Sequence, residues 1–241
     1  MKLNGMLIGV SFLVLLVSFW NRNDLPGDID EVPELQNEPQ QTKTRKAAFD
    51  AEFNGVTYRV EPKFDYDITG MIVSYRHHDD ENSRMHSRAN DHLNMLDVCV
   101  IWGKNPSNQR LDKISFWNGI FTCNIKTRDQ AAWNAFDMEQ LSNNHLLSDN
   151  ESIRDEVTKI RIGDQIRVKG YLAEYSSGPG HMRGTSTTRT DTGDGACETI
   201  YVEDFRIVRA ATSYWRISMW SSLGLLILAL LAHFLRPYKP H

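Results

Sequence analysis

Two residues of this chain are best suited to covalent chemistry. His145 follows a pair of asparagines, and Cys197 ends a polar, glycine-rich segment. A thiolate is a strong nucleophile at neutral pH when an imidazole lies beside it, and a third group usually orients that imidazole. One hypothesis is therefore a cysteine-dependent hydrolase or transferase, with Cys197 as nucleophile, His145 as base and Asn144, or its neighbour Asn143, as the orienting residue.

The segment that contains Cys197, residues 183–198, also has the composition of a binding loop. Glycines at positions 184, 193 and 195 permit unusual backbone angles and close approach of a partner, and loops on rigid scaffolds often carry function. A polar hairpin loop without function is the competing interpretation. The side chains expected to contact a ligand are Asn143, Ser186, Arg189, Asp191 and Glu198.

Two other interpretations of this segment are weaker. Asp191-Thr192-Gly193 matches the aspartic-protease triplet, but the sequence holds a single copy, so a protease would need two chains to pair its carboxylates. Asp191, Asp194 and Glu198 would offer oxygens to Ca²⁺, but their spacing differs from an EF-hand loop. We expect no cofactor and assign no metal ligand.

Residues 77–92 are rich in histidine and aspartate. Imidazole and carboxylate groups bind transition metals, and clustered histidines respond to mild acid, so a metal- or pH-sensing module is an alternative function. A solvated loop is the simpler interpretation, because the spacing matches no metal motif. The candidate side chains are His77, His78, Asp79, Asp80, His86 and His92.

Strands dominate the predicted middle of the chain. Alternating apolar residues predict them over 66–77, 166–172 and 199–208, and a continuous apolar run predicts a buried strand over 96–102. Gly70 predicts a bulge or bend in the first of these strands.

Local signals predict several connections. Asn54-Gly55 and Asn118-Gly119 are typical two-residue hairpin turns, and Asp129 is suited to cap a helix. Residues 142–149 are predicted to be a loop, and residues 151–160 a second helix.

The order of about three strands, a helix and two or three more strands resembles an OB-fold, a small partly open barrel. The residues that carry the resemblance are Gly163-Asp164, the strand that follows to Gly170, and Gly70. We therefore predict a mainly β, OB-like domain with one or two helices over residues 48–209.

The three cysteines leave at least one thiol unpaired within a monomer. Cys99 and Cys123 lie on predicted strands that could be neighbours, and a disulfide requires their Cα atoms to lie within about 7 Å. Two buried free thiols are the slightly favoured alternative.

Two apolar segments flank the domain. Residues 217–235 hold no formal charge and match the roughly 20 residues that cross a bilayer. Residues 1–20 lack a small-residue cleavage site, which predicts an uncleaved signal anchor that also crosses the membrane. Residues 21–47 have the polar composition of a flexible linker.

Charges near the two apolar segments predict the location of the protein. Lys2 and the basic residues of the tail, 236–241, indicate that both termini are cytoplasmic. The expected protein is therefore a two-pass protein of the bacterial inner membrane, with its domain on the periplasmic or extracellular side.

Composition also bounds the partners. Acidic residues outnumber basic ones, 31 to 27, which argues against a non-specific nucleic-acid binder. Small residues at positions 221, 222 and 224 leave oligomer formation through the membrane helices open.

The segment around His145 and the segment that contains Cys197 together resemble a known family. The run Ser142-Asn143-Asn144-His145-Leu146 and the spaced block from Ser186 to Glu198, S-x-x-R-x-D-T-G-x-G-A-C-E, are similar to a family of uncharacterised bacterial membrane-anchored proteins. The resemblance implies one contiguous fold and transfers no catalytic role. The leading hypothesis from the sequence is a binding or scaffolding module of the cell envelope that holds a protein partner near the membrane.

Overall fold

The computed structural model describes residues 2–27, 29–78, 91–119, 121–176, 178, 182–193 and 196–235. They form two compact units. One unit contains the two ends of the chain, up to Pro26 and from Thr212, and the other spans Gly27–Ala211.

The elements within the described residues are as follows. The α-helices are α1 (Lys2–Trp20), α2 (Gln130–Ala135), α3 (Glu151–Val157) and α4 (Tyr214–Phe234). The strands are β1 (Gln40–Lys43), β2 (Phe49–Phe53), β3 (Val56–His77), β4 (Asn94–Ile101), β5 (Ile114–Asn118), β6 (Cys123–Thr127), β7 (Leu141–Leu147), β8 (Gln165–Ser176) and β9 (Cys197–Arg209). Short 3₁₀ helices cover Pro33–Gln36, Leu111–Lys113 and Met138–Gln140.

One large sheet organises the 27–211 unit. Its strands lie in the order β1-β3-β4-β7-β9-β8, and β2 pairs with β3. The long strand β3 also pairs with β8, and β7 runs parallel to β9. β5 and β6 form a separate two-stranded sheet. The predicted mainly β fold is confirmed.

Cross-strand apolar pairs build the core of this unit. Ile72 lies opposite Val100, and Ile68 lies opposite Val168. All four side chains are buried, and burying an aliphatic side chain of this size contributes about 1.5–3 kcal/mol.

Two glycines permit strands to approach closely. A Cβ atom on Gly70 would lie 2.7 Å from the Cβ of Val100, and one on Gly170 would lie 1.9 Å from the carbonyl oxygen of Tyr201. The pairing of β8 with β9 shifts register at Gly170, and the pairing of β3 with β4 shifts shortly after Gly70. The predicted irregularity near Gly70 therefore lies two residues further along the strand, after Ile72.

Of the two predicted hairpin turns, one has the predicted length and the other does not. The Asn-Gly turn between β2 and β3 is confirmed, because Phe53 pairs with Val56 and both intervening residues have positive φ. The predicted Asn118-Gly119 turn is wrong in length. Asn118 pairs with Cys123, so the loop between β5 and β6 has four residues.

Two segments predicted to be irregular belong to the folded unit. Residues 141–147 form β7, in place of the predicted loop, because their backbone pairs with β4 on one side and β9 on the other. Part of the predicted linker, 21–47, is also ordered. Its Leu35 is fully buried, and β1 pairs with β3.

The sequence did not decide whether Cys99 and Cys123 form a disulfide, and the structure shows that they do. Cys99 of β4 and Cys123 of β6 form a disulfide, with their Cα atoms 5.8 Å apart. The favoured alternative of two free thiols was therefore wrong. Cys197 carries a free thiol and is partly exposed.

The terminal unit consists of α1 and α4, which pack against each other. By length and composition, α4 alone among the described helices is long and apolar enough to cross a bilayer, with a mean hydropathy of 1.8. α1 contains a shorter apolar stretch, Asn4–Trp20.

Candidate functional site

The pairing of the strands brings the two candidate catalytic residues, His145 and Cys197, to the same part of the sheet. In β4, β7 and β9, Asp97 lies opposite His145 and Asn143 lies opposite Cys197. Alternate residues of a strand point to the same face. Asp97, Asn143, His145 and Cys197 therefore share one face of the sheet.

Asp97 holds the imidazole of His145. Its Oδ1 atom lies 2.5 Å from Nδ1 of His145, and its Oδ2 atom lies 2.9 Å from Nε2 of His78. The Asn94 amide donates to Oδ1 from 3.1 Å. The Asp97 carboxylate is 1 % exposed and His145 is 4 % exposed, so the pair is shielded from water.

The ionisation of this pair follows from its contacts. Burial alone would raise the pKa of Asp97, but the hydrogen bonds and charges of His145 and His78 outweigh it and hold that pKa well below its usual range. Burial alone would lower the pKa of His145, but hydrogen bonds with Asp97 and Cys197 outweigh it and raise that pKa to about 9. An imidazolium paired with a carboxylate is therefore the stable state at neutral pH.

Cys197 lies close enough to the imidazole of His145 to help raise its pKa. The Asn143 amide donates to its Sγ atom from 3.3 Å, and the thiol points to the carbonyl oxygen of Phe121 at 3.5 Å. The Phe121 ring packs edge-on against the His145 ring, with centroids 6.0 Å apart. This ring shields the imidazole on the side of the β5–β6 loop.

A pocket of about 220 Å³ opens beside the thiol. Cys197 and Asn143 form part of its wall. The other lining residues come from the β5–β6 loop and the start of β6, from the segment before β7 and its first residue, and from the segment before Cys197. They are Phe121, Thr122, Cys123, Asn124, Met138, Leu141, Thr192, Gly193 and Ala196. A small group can therefore reach the sulfur from solvent.

Asn144 does not orient His145, contrary to the prediction. It is one residue away in β7, so its side chain lies on the opposite face, where its amide is 3.5 Å from the carbonyl oxygen of Val98. Asp97 occupies the orienting position instead.

Glu198 lies on this opposite face as well. Its Oε2 atom accepts a hydrogen bond of 2.7 Å from the Ser142 hydroxyl. Burial raises the pKa of Glu198 to about 7, more than the Ser142 hydrogen bond lowers it. The carboxyl group is thus separated from Cys197 by the sheet itself.

The other predicted ligand-binding residues do not gather around the thiol. The Ser186 hydroxyl donates to Asp191 at 2.5 Å. The Arg189 guanidinium lies 4.6 Å from the centre of the Trp102 ring and donates to the carbonyl of Glu139 at 3.4 Å. Of the five, Asn143 is the one whose side chain contacts the Cys197 thiol, although the backbone N–H of Ser186 donates to the Cys197 carbonyl oxygen at 2.8 Å.

The histidine-rich segment divides at the edge of the described residues. His78 contributes to the Asp97 site, His77 packs against Tyr75, and the backbone N–H of His92 donates to Tyr58. Three of the candidate ligands, Asp79, Asp80 and His86, lie outside the described residues. Within the described part of the chain, no group of three His, Cys, Asp or Glu side chains is arranged to hold a metal ion.

Asp97 is a site residue that the sequence did not reveal, whereas His78 was predicted to belong to a metal- or pH-sensing segment and instead contacts Asp97. Asp97 is an acid within the apolar run of residues 96–102. A charged group in a buried strand requires a partner, because an unpaired buried charge is very costly. That signal could have identified Asp97, although it does not say which residue is the partner.

Comparison of this chain with protein-family models, with curated proteins and with solved structures finds no match.

Proposed function

We propose that this protein is a cysteine-dependent hydrolase or transferase acting on an activated acyl group. The observation that supports it best is the cluster of Asp97, His145 and Cys197, in which the carboxylate lies 2.5 Å from one ring nitrogen and the thiol is near enough to the imidazole to help raise its pKa. A carboxylate, an imidazole and a thiol in this order are the parts of a nucleophilic triad.

Each group has a defined step in the proposed reaction. The Cys197 thiolate attacks the carbonyl carbon, and the oxygen becomes an oxyanion beside the Asn143 amide, a donor suited to stabilise it. His145 then donates its proton to the leaving group, which departs and leaves a thioester on Cys197. Water or another nucleophile attacks this thioester, gives its proton to His145, and releases the acyl group.

Asp97 keeps His145 in the productive orientation throughout. Its carboxylate is held in turn by His78 and Asn94, so its position is fixed by two further side chains. Small residues on the pocket wall, Gly193 and Ala196, leave space for a narrow substrate beside the sulfur.

The test is the rate at which Cys197 reacts with iodoacetamide at pH 7, read by mass spectrometry. We expect His145→Ala to lower this rate at least tenfold, and a matched His92→Ala variant to leave it unchanged. Equal rates in wild type and His145→Ala would refute the proposal. Loss of thioester or ester hydrolysis in Cys197→Ala, measured on a panel of fluorogenic substrates, then identifies the acyl group.

For the fold that holds this site, we propose a closed OB-like barrel. The pairings β3-β4-β7-β9-β8 return to β3, β7 is parallel to β9, and α3 lies between β7 and β8 in the chain. These are features of the OB-fold. β5, β6 and α2 are then an insertion between the second and third barrel strands.

For its location, we propose that α1 and α4 cross a bilayer as an antiparallel pair, with both termini in the cytoplasm. The Asn4 amide near the start of α1 donates to the carbonyl of Ala229 near the end of α4, at 3.3 Å. Ser11, Ser18 and Ser222 are buried. Small and polar residues are typical of contacts between membrane helices.

The outward side chains of the two helices support the same location. They are large and apolar, and include Phe12, Leu13, Ile217, Leu228 and Leu231. Water-soluble helices place such residues inside, so this pattern suits a lipid environment. Green fluorescent protein fused to either terminus should fluoresce, and the protein should stay in membranes washed with alkaline carbonate. Release by that wash would refute membrane insertion.

A further inference from the structure

We propose that Cys197 exchanges with the Cys99–Cys123 disulfide by attack on the sulfur of Cys123. The proposal uses the activated thiol of the proposed function but not its acyl chemistry. Its consequence is a reversible lock, because the nucleophile is consumed when the disulfide moves.

The three cysteines lie around one face of the sheet. Asn143 in β7 lies opposite Cys99 in β4 on one side and opposite Cys197 in β9 on the other. The Cα atoms of Cys99 and Cys197 are therefore two strand spacings apart, roughly 10 Å. Cys123 reaches this face from the β5–β6 hairpin.

Of the two sulfurs in the disulfide, that of Cys123 is the one that Cys197 can reach through the pocket. Cys123 and Cys197 both line the pocket of about 220 Å³, whereas Cys99 is fully buried. Which sulfur a thiolate attacks depends on access as well as on leaving-group chemistry. The open path from Cys197 therefore leads to Cys123.

A direct contact links Cys197 to the chain that carries Cys123. The thiol points to the carbonyl oxygen of Phe121, and the Asn143 amide donates to the same oxygen at 3.0 Å. Phe121 is two residues before Cys123. In the part of the chain that the structure describes, β5 and β6 pair with each other and not with the large sheet. A small movement of this hairpin would therefore break none of the main ladder hydrogen bonds.

The exchange is balanced without an oxidant. A bond forms between the sulfurs of Cys197 and Cys123, and the bond between Cys123 and Cys99 breaks. Cys99 leaves as a thiolate and takes up one proton from solvent, which balances the proton that Cys197 released to solvent when its thiolate formed. The number of disulfides is one before and one after, so nothing is oxidised or reduced overall.

The first test incubates full-length protein in detergent at pH 8 without an alkylating reagent, then denatures it in urea at pH 6 with excess N-ethylmaleimide and digests it without reduction. We expect two products: Cys197 labelled with the original disulfide, and Cys99 labelled with a Cys123–Cys197 disulfide. The Cys197→Ser control should show no label on Cys99. If wild type carries label on Cys197 alone after prolonged incubation, the proposal is wrong.

The second test removes the leaving group. In Cys99→Ser, treated with oxidised glutathione, we expect a Cys123–Cys197 disulfide in most molecules. Glutathione attached separately to each thiol, with no bond between them, would overturn the proposal. Fast iodoacetamide labelling of Cys197 in the same variant before glutathione is added would show that the proposed acyl chemistry survives this failure. Exchange without any effect of His145→Ala on labelling would refute the acyl proposal instead.

Discussion

Asp97→Asn tests whether the buried ion pair with His145 is formed as the structure describes it. The pKa of His145 rises from its ordinary 6.5 to about 9 in the folded protein. Each unit corresponds to about 1.4 kcal/mol. The contacts of the imidazole with Asp97 and Cys197 together therefore contribute about 3 kcal/mol to the free energy of unfolding when His145 is protonated in both the folded and the unfolded chain.

The sign of the pH dependence follows from the direction of both shifts. Because the folded pKa of His145 is raised, its contribution is full below pH 6.5 and disappears as the pH rises through about 9. Because the folded pKa of Asp97 is lowered, its contribution is present above pH 3.8 and is lost at lower pH. The window of full stabilisation thus lies between about pH 4 and pH 6.5.

The assay is urea unfolding of the full chain in mild detergent, followed by tryptophan fluorescence at pH 6 and pH 9.5. We expect wild type to lose up to about 3 kcal/mol more stability than Asp97→Asn between these two pH values, because asparagine carries no charge to hold the imidazolium. The exposed control Asp155→Asn should follow wild type at both. An equal difference between wild type and Asp97→Asn at pH 6 and pH 9.5 would refute the ion pair.

Two further predictions concern the opposite face and the strand crossing. Burial raises the pKa of Glu198 from 4.5 to about 7, so its stabilising effect is full below pH 4.5 and lost by about pH 7. In urea unfolding, the free energy of unfolding of Glu198→Gln should equal that of wild type near pH 4.5 and exceed it by about 3 kcal/mol at pH 8. Glu52→Gln, on the exposed side of β2, should change neither value, and a flat difference for Glu198→Gln would mean that this carboxyl is not buried. Gly170→Ala should lower the free energy of unfolding by about 3 kcal/mol, because the new Cβ would meet the Tyr201 carbonyl. Gly184→Ala adds a carbon in open space and should change the free energy of unfolding by no more than about 0.5 kcal/mol. Equal melting temperatures for the two variants would contradict the close approach of the strands at Gly170.

Structural features that depend only on residues close together in the chain could be predicted from the sequence. The Asn-Gly pair after Phe53 requires two positive φ angles, which these residue types tolerate, and Asp129 accepts the N–H of Ala132 as a helix cap should. Both signals lie within a few residues of the structure they determine. The pairing of β7 with β9 has no such signal, because parallel strands are joined across more than 50 residues of chain.

The misassigned strand β7 explains the misassigned orienting residue. Residues 142–145 are all polar, so they show neither the alternation of a half-buried strand nor the apolar run of a buried one. Their side chains are buried on both faces because Ser142 meets Glu198 on one and His145 meets Asp97 on the other. Once the segment is a strand, Asn144 must face away from His145.

The dependence of the site on non-local pairing has a chemical consequence. Asp97 and His145 are 48 residues apart in the chain, and Asn143 and Cys197 are 54 apart, so no local structure assembles the cluster. Before β7 and β9 have paired, nothing places Cys197 beside His145. Cys99 and Cys123, separated by 24 residues, form the shorter loop and hence the one with the lower closure entropy. Their disulfide can therefore form first, which reserves the remaining thiol for the strand that will carry it to His145.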